Sequence, residues 1–311
     1  MNFYTRNEGV FPVIQTPFLE NDEICYSTLE KEVHFLIDAK VNGIVVGMVT
    51  EINRFTEPER KEFLNHLIRF VDHQLPVVMS VGGESLKQVE FRACEAEQLG
   101  ASAFMAIPPL SFRCDDIRLW SYYQKILDSS TVPLILQDAS GYLGNPVSPD
   151  LMIKLYQANP GRVMFKPEAP PVGKTISLLS KETNGKGSIY EGTGGKGLTE
   201  AFLRGACGSI PGSAIPWADV ELWKCLKNGD QEKALQLQSL ITLLMAPLQS
   251  LDSYLAVEKF LLYEQGIFNN ERIRPPGYYD LDGFSRQGIL KIVDQLGNLC
   301  GKNNGTWREK K

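Results

Sequence analysis

The sequence of residues 43–49, GIVVGMV, is an apolar run with the length of one β-strand, and a segment with helical periodicity follows it. Seven more runs of this kind occur along the chain, at residues 10–15, 76–81, 101–107, 132–137, 162–166, 188–192 and 206–210. Nearly continuous apolar runs are typical of parallel strands that helices cover on both faces. The alternation therefore predicts repeated strand–helix units in one parallel sheet.

Capping signals mark the starts of two predicted helices. Ser27 followed by Glu30, and Thr56 followed by Glu59, both have the spacing of a capping box. In such a box two side chains satisfy backbone amides of the first helical turn. We expect one helix to begin at each of these places.

The number of units predicts the architecture. Eight consecutive strand–helix units favour a closed (β/α)8 barrel, a TIM barrel, over an open doubly wound sheet. After Trp217 the strand patterns stop and three helical patterns follow. We therefore expect a catalytic barrel at residues 1–216, a C-terminal helical extension at residues 217–300 and a frayed polar tail at residues 301–311.

The composition excludes several classes of function. The chain has 311 residues, a formal net charge of −5 and no basic stripe, which argues against binding to nucleic acid or to an anionic membrane. No apolar run approaches the ~18 residues that span a bilayer, and no secretory signal is visible. Six scattered cysteines and three histidines argue against a metal site built on Cys or His. We expect a cytoplasmic protein.

Polar residues at the ends of the apolar runs are the candidates for chemistry, because active sites of such barrels lie at the carboxyl ends of the strands. These residues are Glu51, Gln137, Asp138, Lys166, Glu168, Glu191 and Ser209.

The sixth run, VMFKPE at residues 163–168, is the most informative. Alternation along a strand puts Met164, Lys166 and Glu168 on one face. Lys166 would then point into the barrel, with Glu168 above it at the mouth. Burial lowers the pKa of a lysine, and a neutral amine can attack a carbonyl and form a Schiff base. The alternative is a lysine that extends to solvent at a strand end.

The other candidates carry less information. Gln137 is a neutral amide that can hydrogen-bond a substrate, whereas Asp138 is better suited to capping a loop. Glu51 either anchors the backbone of its loop or contacts ligand.

A glycine-rich stretch at residues 192–197, GTGGKG, resembles a phosphate-binding loop. A P-loop needs a further glycine where Tyr190 stands and Ser or Thr where Gly197 stands, so this interpretation is rejected. The glycines still allow backbone amides to approach a carboxylate.

Several stretches resemble the dihydrodipicolinate synthase / N-acetylneuraminate lyase superfamily. They are GVFPVIQTPF at 9–18, NGIVVG at 42–47, EPER at 57–60 and RPP at 274–276. The resemblance runs through nearly the whole chain, in order. It implies a (β/α)8 barrel with a C-terminal helical extension, assembly as a homotetramer or homodimer, and a Schiff-base lysine on the sixth strand, which Lys166 matches.

The sequence departs from the family pattern at three places. A Gly-Thr-Thr-Gly-Glu motif that binds the keto-acid carboxylate is GMVTE at residues 47–51, so both threonines of the pair are missing. Gln137 replaces a proton-shuttling tyrosine, and Leu110 replaces an aromatic residue. Residues 137–139, QDA, and 165–168, FKPE, are instead similar to the L-2-keto-3-deoxyarabonate dehydratase branch.

The resemblance implies a Schiff-base-forming lyase, a dehydratase or an aldolase, that acts on a 2-keto-3-deoxy sugar acid through Lys166. Glu168 would transfer protons and Gln137 would orient substrate or water. The residues expected to bind substrate are Thr50, Glu51, Gly192 and Ser209. No metal or organic cofactor is expected, because the lysine supplies the electrophile. The alternatives are dihydrodipicolinate synthase-like or pyruvate aldolase activity, a metal-dependent aldolase, and a non-catalytic homologue that binds keto acids.

Overall fold

The structure, a computed structural model, describes residues 7–141, 143–302 and 307–308. Its parallel strands are β1 Gly9–Val10, β2 Ile44–Val46, β3 Val77–Ser80, β4 Ala103–Ala106, β5 Leu134–Asp138, β6 Val163–Pro167, β7 Tyr190–Glu191 and β8 Gly208–Ser209. The helices that follow these strands are α1 Tyr26–Asp38, α2 Glu57–Val71, α3 Leu86–Gln98, α4 Asp116–Asp128, α5 Pro149–Ala158, α6 Val172–Glu182, α7 Leu198–Leu203 and α8 Pro216–Asn228. Three further helices complete the chain, α9 Gln231–Met245, α10 Leu251–Glu264 and α11 Gly283–Leu299.

The strands close into a barrel. Hydrogen bonding joins them in two parallel groups, β2-β3-β4-β5-β6 and β1-β8-β7. Isolated parallel bridges connect the groups, one between Val13 and Val45 and one between Phe165 and Ile189. The prediction of a closed (β/α)8 barrel with a C-terminal helical extension is therefore confirmed.

Side chains of β6 alternate between two cores as the sequence predicts. Val163 and Phe165 belong to the large apolar core between the strands and the helices. Met164 belongs to the smaller core inside the barrel, together with Ile135 from the neighbouring strand β5 and Val45 from β2. Lys166 follows Met164 on the inward face.

The barrel ends later than residue 216. Helix α8 buries Trp217, Ala218 and Leu222 and packs against β1, so it is the eighth helix of the barrel. The sequence-based boundary stood where the strand patterns stop, which put this helix in the extension. The extension proper begins with α9.

The C-terminal tail differs from the expected frayed end at two described residues, Trp307 and Arg308. Trp307 is buried, and its indole N–H donates to Asp294 on α11 at 2.9 Å. The guanidinium of Arg308 donates to the same carboxylate at 2.5 Å. Residues 303–306 and 309–311 lie outside the described residues. These two contacts hold the described part of the tail on the last helix.

The two capping predictions have different outcomes. The Thr56 side chain accepts from the backbone amide of Glu59, and the Glu59 side chain accepts from the backbone amide of Thr56. This capping box is therefore confirmed. The prediction at Ser27 is wrong, because α1 begins at Tyr26 with Cys25 as its N-cap and no side-chain cap. Ser27 therefore lies inside the first turn. None of the described helices is both long and apolar enough to cross a bilayer.

Candidate active site

A cavity of about 550 Å³ opens at the carboxyl ends of the strands. Val13, Met105 and Ile210 line it from inside the barrel, and Lys166 and Glu168 line it from β6 and the residue after it. Its position is the one at which barrels of this kind carry their chemistry.

Lys166 and Glu168 are in direct contact inside this cavity. The Lys166 Nζ lies 2.7 Å from Oε1 of Glu168, and the two residues are only 5% and 3% exposed. The Gln137 amide donates to the same Oε1 at 2.7 Å, and the other carboxyl oxygen is buried without a partner among the described residues. The register of the sheet produces this triad, because Gln137 on β5 pairs with Lys166 on β6.

Burial shifts the pKa values of both members of the pair. Desolvation lowers the pKa of Lys166 to about 7, although the nearby Glu191 carboxylate acts in the opposite direction. Desolvation also raises the pKa of Glu168 well above its usual range, against the hydrogen bond from Gln137. Burial therefore favours the uncharged form of both groups, a neutral amine beside a carboxyl group that holds its proton more tightly than an exposed one.

The lowered pKa predicts the reactivity of the amine. Acetic anhydride acylates only neutral amines, so labelling of Lys166 should rise with pH around a midpoint near 7. For an exposed lysine the labelling midpoint should lie at about pH 10.4. Mass spectrometry of the Lys166 peptide after labelling from pH 5 to pH 11 measures this midpoint. A value near that of exposed lysines would contradict the lowered pKa.

Gly192 provides the space that Lys166 and Glu168 occupy. A Cβ atom at this position would lie 2.8 Å from Cε of Lys166 and 2.6 Å from Cγ of Glu168. Both distances are too short for carbon atoms. Gly192 also lines the cavity, so it lies where the sequence analysis expected a substrate contact.

Glu191 fixes the glycine-rich loop that follows it. Its carboxylate accepts from the amide of Thr193 at 2.8 Å, from the hydroxyl of Thr193, and from the amide of Gly195 at 2.9 Å. The loop amides thus approach a carboxylate, as its glycines allowed, and the carboxylate belongs to the chain itself. These hydrogen bonds fix the start of the loop, where Gly192 lies close to Lys166 and Glu168.

Thr50 and Glu51 are not among the side chains that line the cavity. The hydroxyl of Thr50 accepts from the amide of Gly47 at 3.0 Å. The two carboxylate oxygens of Glu51 contact Lys259 Nζ at 2.5 Å and Arg54 at 2.6 Å. The structure therefore gives both residues the anchoring role that was the alternative for Glu51.

Ser209 is also apart from the cavity. Its side chain is fully buried on β8, next to Glu191 in the sheet register, and its hydroxyl has no partner in the described part of the chain. Of the four expected substrate-binding residues, Gly192 alone lines the cavity.

Tyr254 and Lys196 also line the cavity, although neither was a candidate at the end of an apolar run. Tyr254 on α10 does so with a hydroxyl that accepts from the amide of Gly212 at 2.9 Å. Lys196 lies exposed at the rim. No sequence signal could find Tyr254, because α10 lies outside the strand–helix repeat. No group of His, Cys, Asp or Glu suited to holding a metal ion occurs among the described residues.

The chain matches the model of a known protein family. The model of the dihydrodipicolinate synthetase family matches residues 6–295. The chain belongs to this family. Members of the dihydrodipicolinate synthetase family are Schiff-base lysine lyases, and the chain is an enzyme of this class.

Relatives within the dihydrodipicolinate synthetase family have several activities. The L-2-keto-3-deoxyarabonate dehydratase of Azospirillum brasilense is 25% identical over 94% of this chain and 96% of its own length. An Escherichia coli protein described as a probable 2-dehydro-3-deoxy-D-pentonate aldolase is 26% identical over 79% of this chain and 85% of its own length. The dihydrodipicolinate synthase structure from Rhodopseudomonas palustris has a TM-score of 0.86 at 22% identity, covering 95% of this chain and 99% of that one. The last similarity concerns the fold.

Proposed function

We propose that this enzyme is a dehydratase that removes water from a 2-keto-3-deoxy sugar acid through a Schiff base on Lys166. The observation that carries the proposal is the buried contact of 2.7 Å between Lys166 Nζ and the Glu168 carboxyl group. A neutral amine and a proton-transferring group are the two parts that this reaction needs. The relative from Azospirillum brasilense, named for this type of reaction, supports the same choice.

The first step forms the Schiff base. The Lys166 amine attacks the C2 ketone, and the ketone oxygen leaves as water, which gives an iminium ion. The iminium withdraws electrons from C3 and makes its protons acidic. The Glu168 carboxylate takes one C3 proton, and the electron pair moves to nitrogen to give an enamine.

Elimination and hydrolysis complete the cycle. The enamine expels the C4 hydroxyl, which takes the proton from Glu168 and leaves as water, while a double bond forms between C3 and C4. One water molecule then hydrolyses the iminium and restores the amine. The net change is the loss of one water molecule from the substrate, without an oxidant, a reductant or a metal.

Glu168 replaces the missing strand-five tyrosine in this scheme. Its raised pKa makes its carboxylate a stronger base than that of an exposed glutamate. The amide of Gln137 holds one of its oxygens at 2.7 Å and so fixes the direction of the carboxyl group. General acid–base help of this kind is worth about 10²–10⁴ in rate.

Aldol cleavage is the second candidate function, and the aldolase relative favours it. The same iminium permits it when a base takes the proton of the C4 hydroxyl instead of a proton on C3. The bond between C3 and C4 then breaks and pyruvate is released.

Product analysis distinguishes the two reactions. We expect NMR to detect water-elimination products from 2-keto-3-deoxy pentonates or hexonates, and no pyruvate. The control is the Lys166→Met variant under the same conditions. Pyruvate with an aldehyde as the products would contradict the dehydratase and establish the aldolase.

We also propose that the enzyme works in the cytoplasm as a homotetramer or homodimer. All six cysteines are free, which suits a reducing compartment. Large exposed apolar side chains on α3, on α4 and in the loop before α4 suit a subunit interface. They are Leu86, Phe91, Phe112 and Ile117.

A further inference from the structure

The cavity beside Lys166 is larger and more apolar than a small sugar acid requires. Its volume of about 550 Å³ is within the range of sites for drug-sized ligands. Met48 and Val49 line it after β2, where the family carries hydroxyl side chains. Within the barrel its walls are the apolar side chains Val13, Met105 and Ile210.

Away from the barrel axis the cavity continues into a part that we call the outer compartment. Helices α6, α7, the end of α9 and the start of α10 surround it. Its apolar lining consists of Val172, Ile176, Ala201, Met245, Leu248 and Leu251. Ile176, Ala201 and Met245 are buried, and the other three are partly exposed.

Four polar side chains of the outer compartment are exposed at its rim, and three of these have partners elsewhere, whereas the half-buried Tyr254 reaches the cavity from α10 with a hydroxyl that accepts from the amide of Gly212. The Ser250 hydroxyl accepts from the amide of Ser253 at 3.1 Å as the cap of α10. Glu200 binds Arg204 at 2.9 Å, and the Gln249 amide donates to a backbone carbonyl at 3.2 Å. Lys196 lies exposed at the same rim.

An apolar compartment distinguishes possible substrates by the polarity of the end that enters it. A hydroxyl group that enters it loses hydrogen bonds to water and finds few replacements. A methylene group that enters it gains about 0.8 kcal/mol, or about fourfold in affinity. The geometry therefore points to a substrate with an apolar distal end.

We infer that the substrate is a 2-keto-3-deoxy acid with a hydroxyl group on C4 and an alkyl or similar apolar group beyond it. The outer compartment binds that apolar group, while Lys166 and Glu168 act on C2 to C4. This inference rests on the proposed function for the bond between Lys166 and the ketone. It extends the proposed substrate class, because sugar acids remain substrates and the outer compartment favours acids with an apolar end over them.

A homologous substrate series tests the inference. The C4 carbon of a 4-hydroxy-2-keto acid carries a hydroxymethyl, methyl, propyl or cyclohexyl group, and kcat/KM is measured for each. We expect kcat/KM to rise about fourfold for each added methylene from methyl to propyl, with the hydroxymethyl acid poorest. An equal or better rate with the hydroxymethyl acid would overturn the inference.

Two variants locate the effect. Leu248→Gln and Val172→Thr should each reduce the advantage of propyl over methyl by at least about threefold. The matched control is Leu178→Gln, which changes an exposed leucine of α6 outside the cavity. An unchanged ratio in both cavity variants would also overturn the inference.

Borohydride trapping and calorimetry separate this inference from the proposed function. Calorimetry measures the binding of unreactive alkyl 2-keto acids of rising length, and trapping reports the Schiff base. An adduct on Lys166 without any preference for longer chains contradicts the apolar end alone. A preference for longer chains without an adduct supports the outer compartment and contradicts the Schiff base alone.

Discussion

Replacement of Lys166 by methionine is expected to lower the turnover of 2-keto-3-deoxy acids by on the order of 10⁴–10⁶-fold. Without the amine no iminium forms, and the C3 protons stay too weakly acidic for Glu168 to remove. Methionine has a similar length and suits the apolar neighbours Met105 and Met164. The loss should therefore come from chemistry and not from unfolding.

The thermal stability of Lys166→Met shows whether the loss of turnover comes from chemistry or from unfolding. Lys166 is buried, and desolvation lowers its pKa, so an apolar replacement removes an unfavourable burial. We expect the Tm of Lys166→Met to be no lower than that of the wild type. Lys87→Met, at an exposed surface position, is the matched control and should retain full turnover. Residual turnover within tenfold of the wild type would rule out a covalent role for Lys166.

Glu168→Gln is expected to impair proton transfer while Schiff-base formation on Lys166 continues. Turnover should fall by about 10²–10⁴, because the amide cannot accept the C3 proton or deliver it to the leaving hydroxyl. Borohydride trapping of a 2-keto acid should continue, because the amine of Lys166 remains buried and close to neutral. The comparison measures kcat and the fraction of trapped enzyme on the same preparations.

A surface substitution on α6 serves as the control for Glu168→Gln. Glu182→Gln changes an exposed carboxylate near the end of that helix and should leave both quantities unchanged. If turnover and trapping fell equally in Glu168→Gln, Glu168 would have no specific part in proton transfer. The carboxyl group would then serve to position the lysine.

The regular part of the sheet could be predicted from the sequence because strand alternation is a strict rule. It placed Met164 and Lys166 inward and Phe165 outward, and the structure agrees. The register that brings Gln137 to Lys166 then follows from the closure of the barrel. The most informative contact of the site thus depends on the most regular pattern in the chain.

The turns could not be predicted in the same way. Thr50 ends a short 3₁₀ turn, and Glu51 connects it to a second one at Ile52–Arg54 with a left-handed φ of 62°. Strand alternation does not apply there, so the side chains leave the cavity and anchor the loop. Glu51 contacts Lys259 from α10, a partner more than two hundred residues away in the chain. Such partners depend on how the extension packs.

The C-terminal helices explain the remaining differences between the sequence-based predictions and the structure. Tyr254 reaches the cavity from α10, and α8 belongs to the barrel although it follows the last strand pattern of the sequence. Amphipathic periodicity shows that a helix has one apolar face but not which surface that face covers. The contacts of such helices require the three-dimensional structure.

The most direct measurement is borohydride reduction of the wild-type enzyme in the presence of pyruvate, followed by intact-mass analysis and peptide mapping. The expected result is one reduced adduct per chain, on Lys166, and no adduct in the Lys166→Met variant. A wild-type enzyme that gains no mass, or gains it on another lysine such as Lys196, would contradict the Schiff base on Lys166.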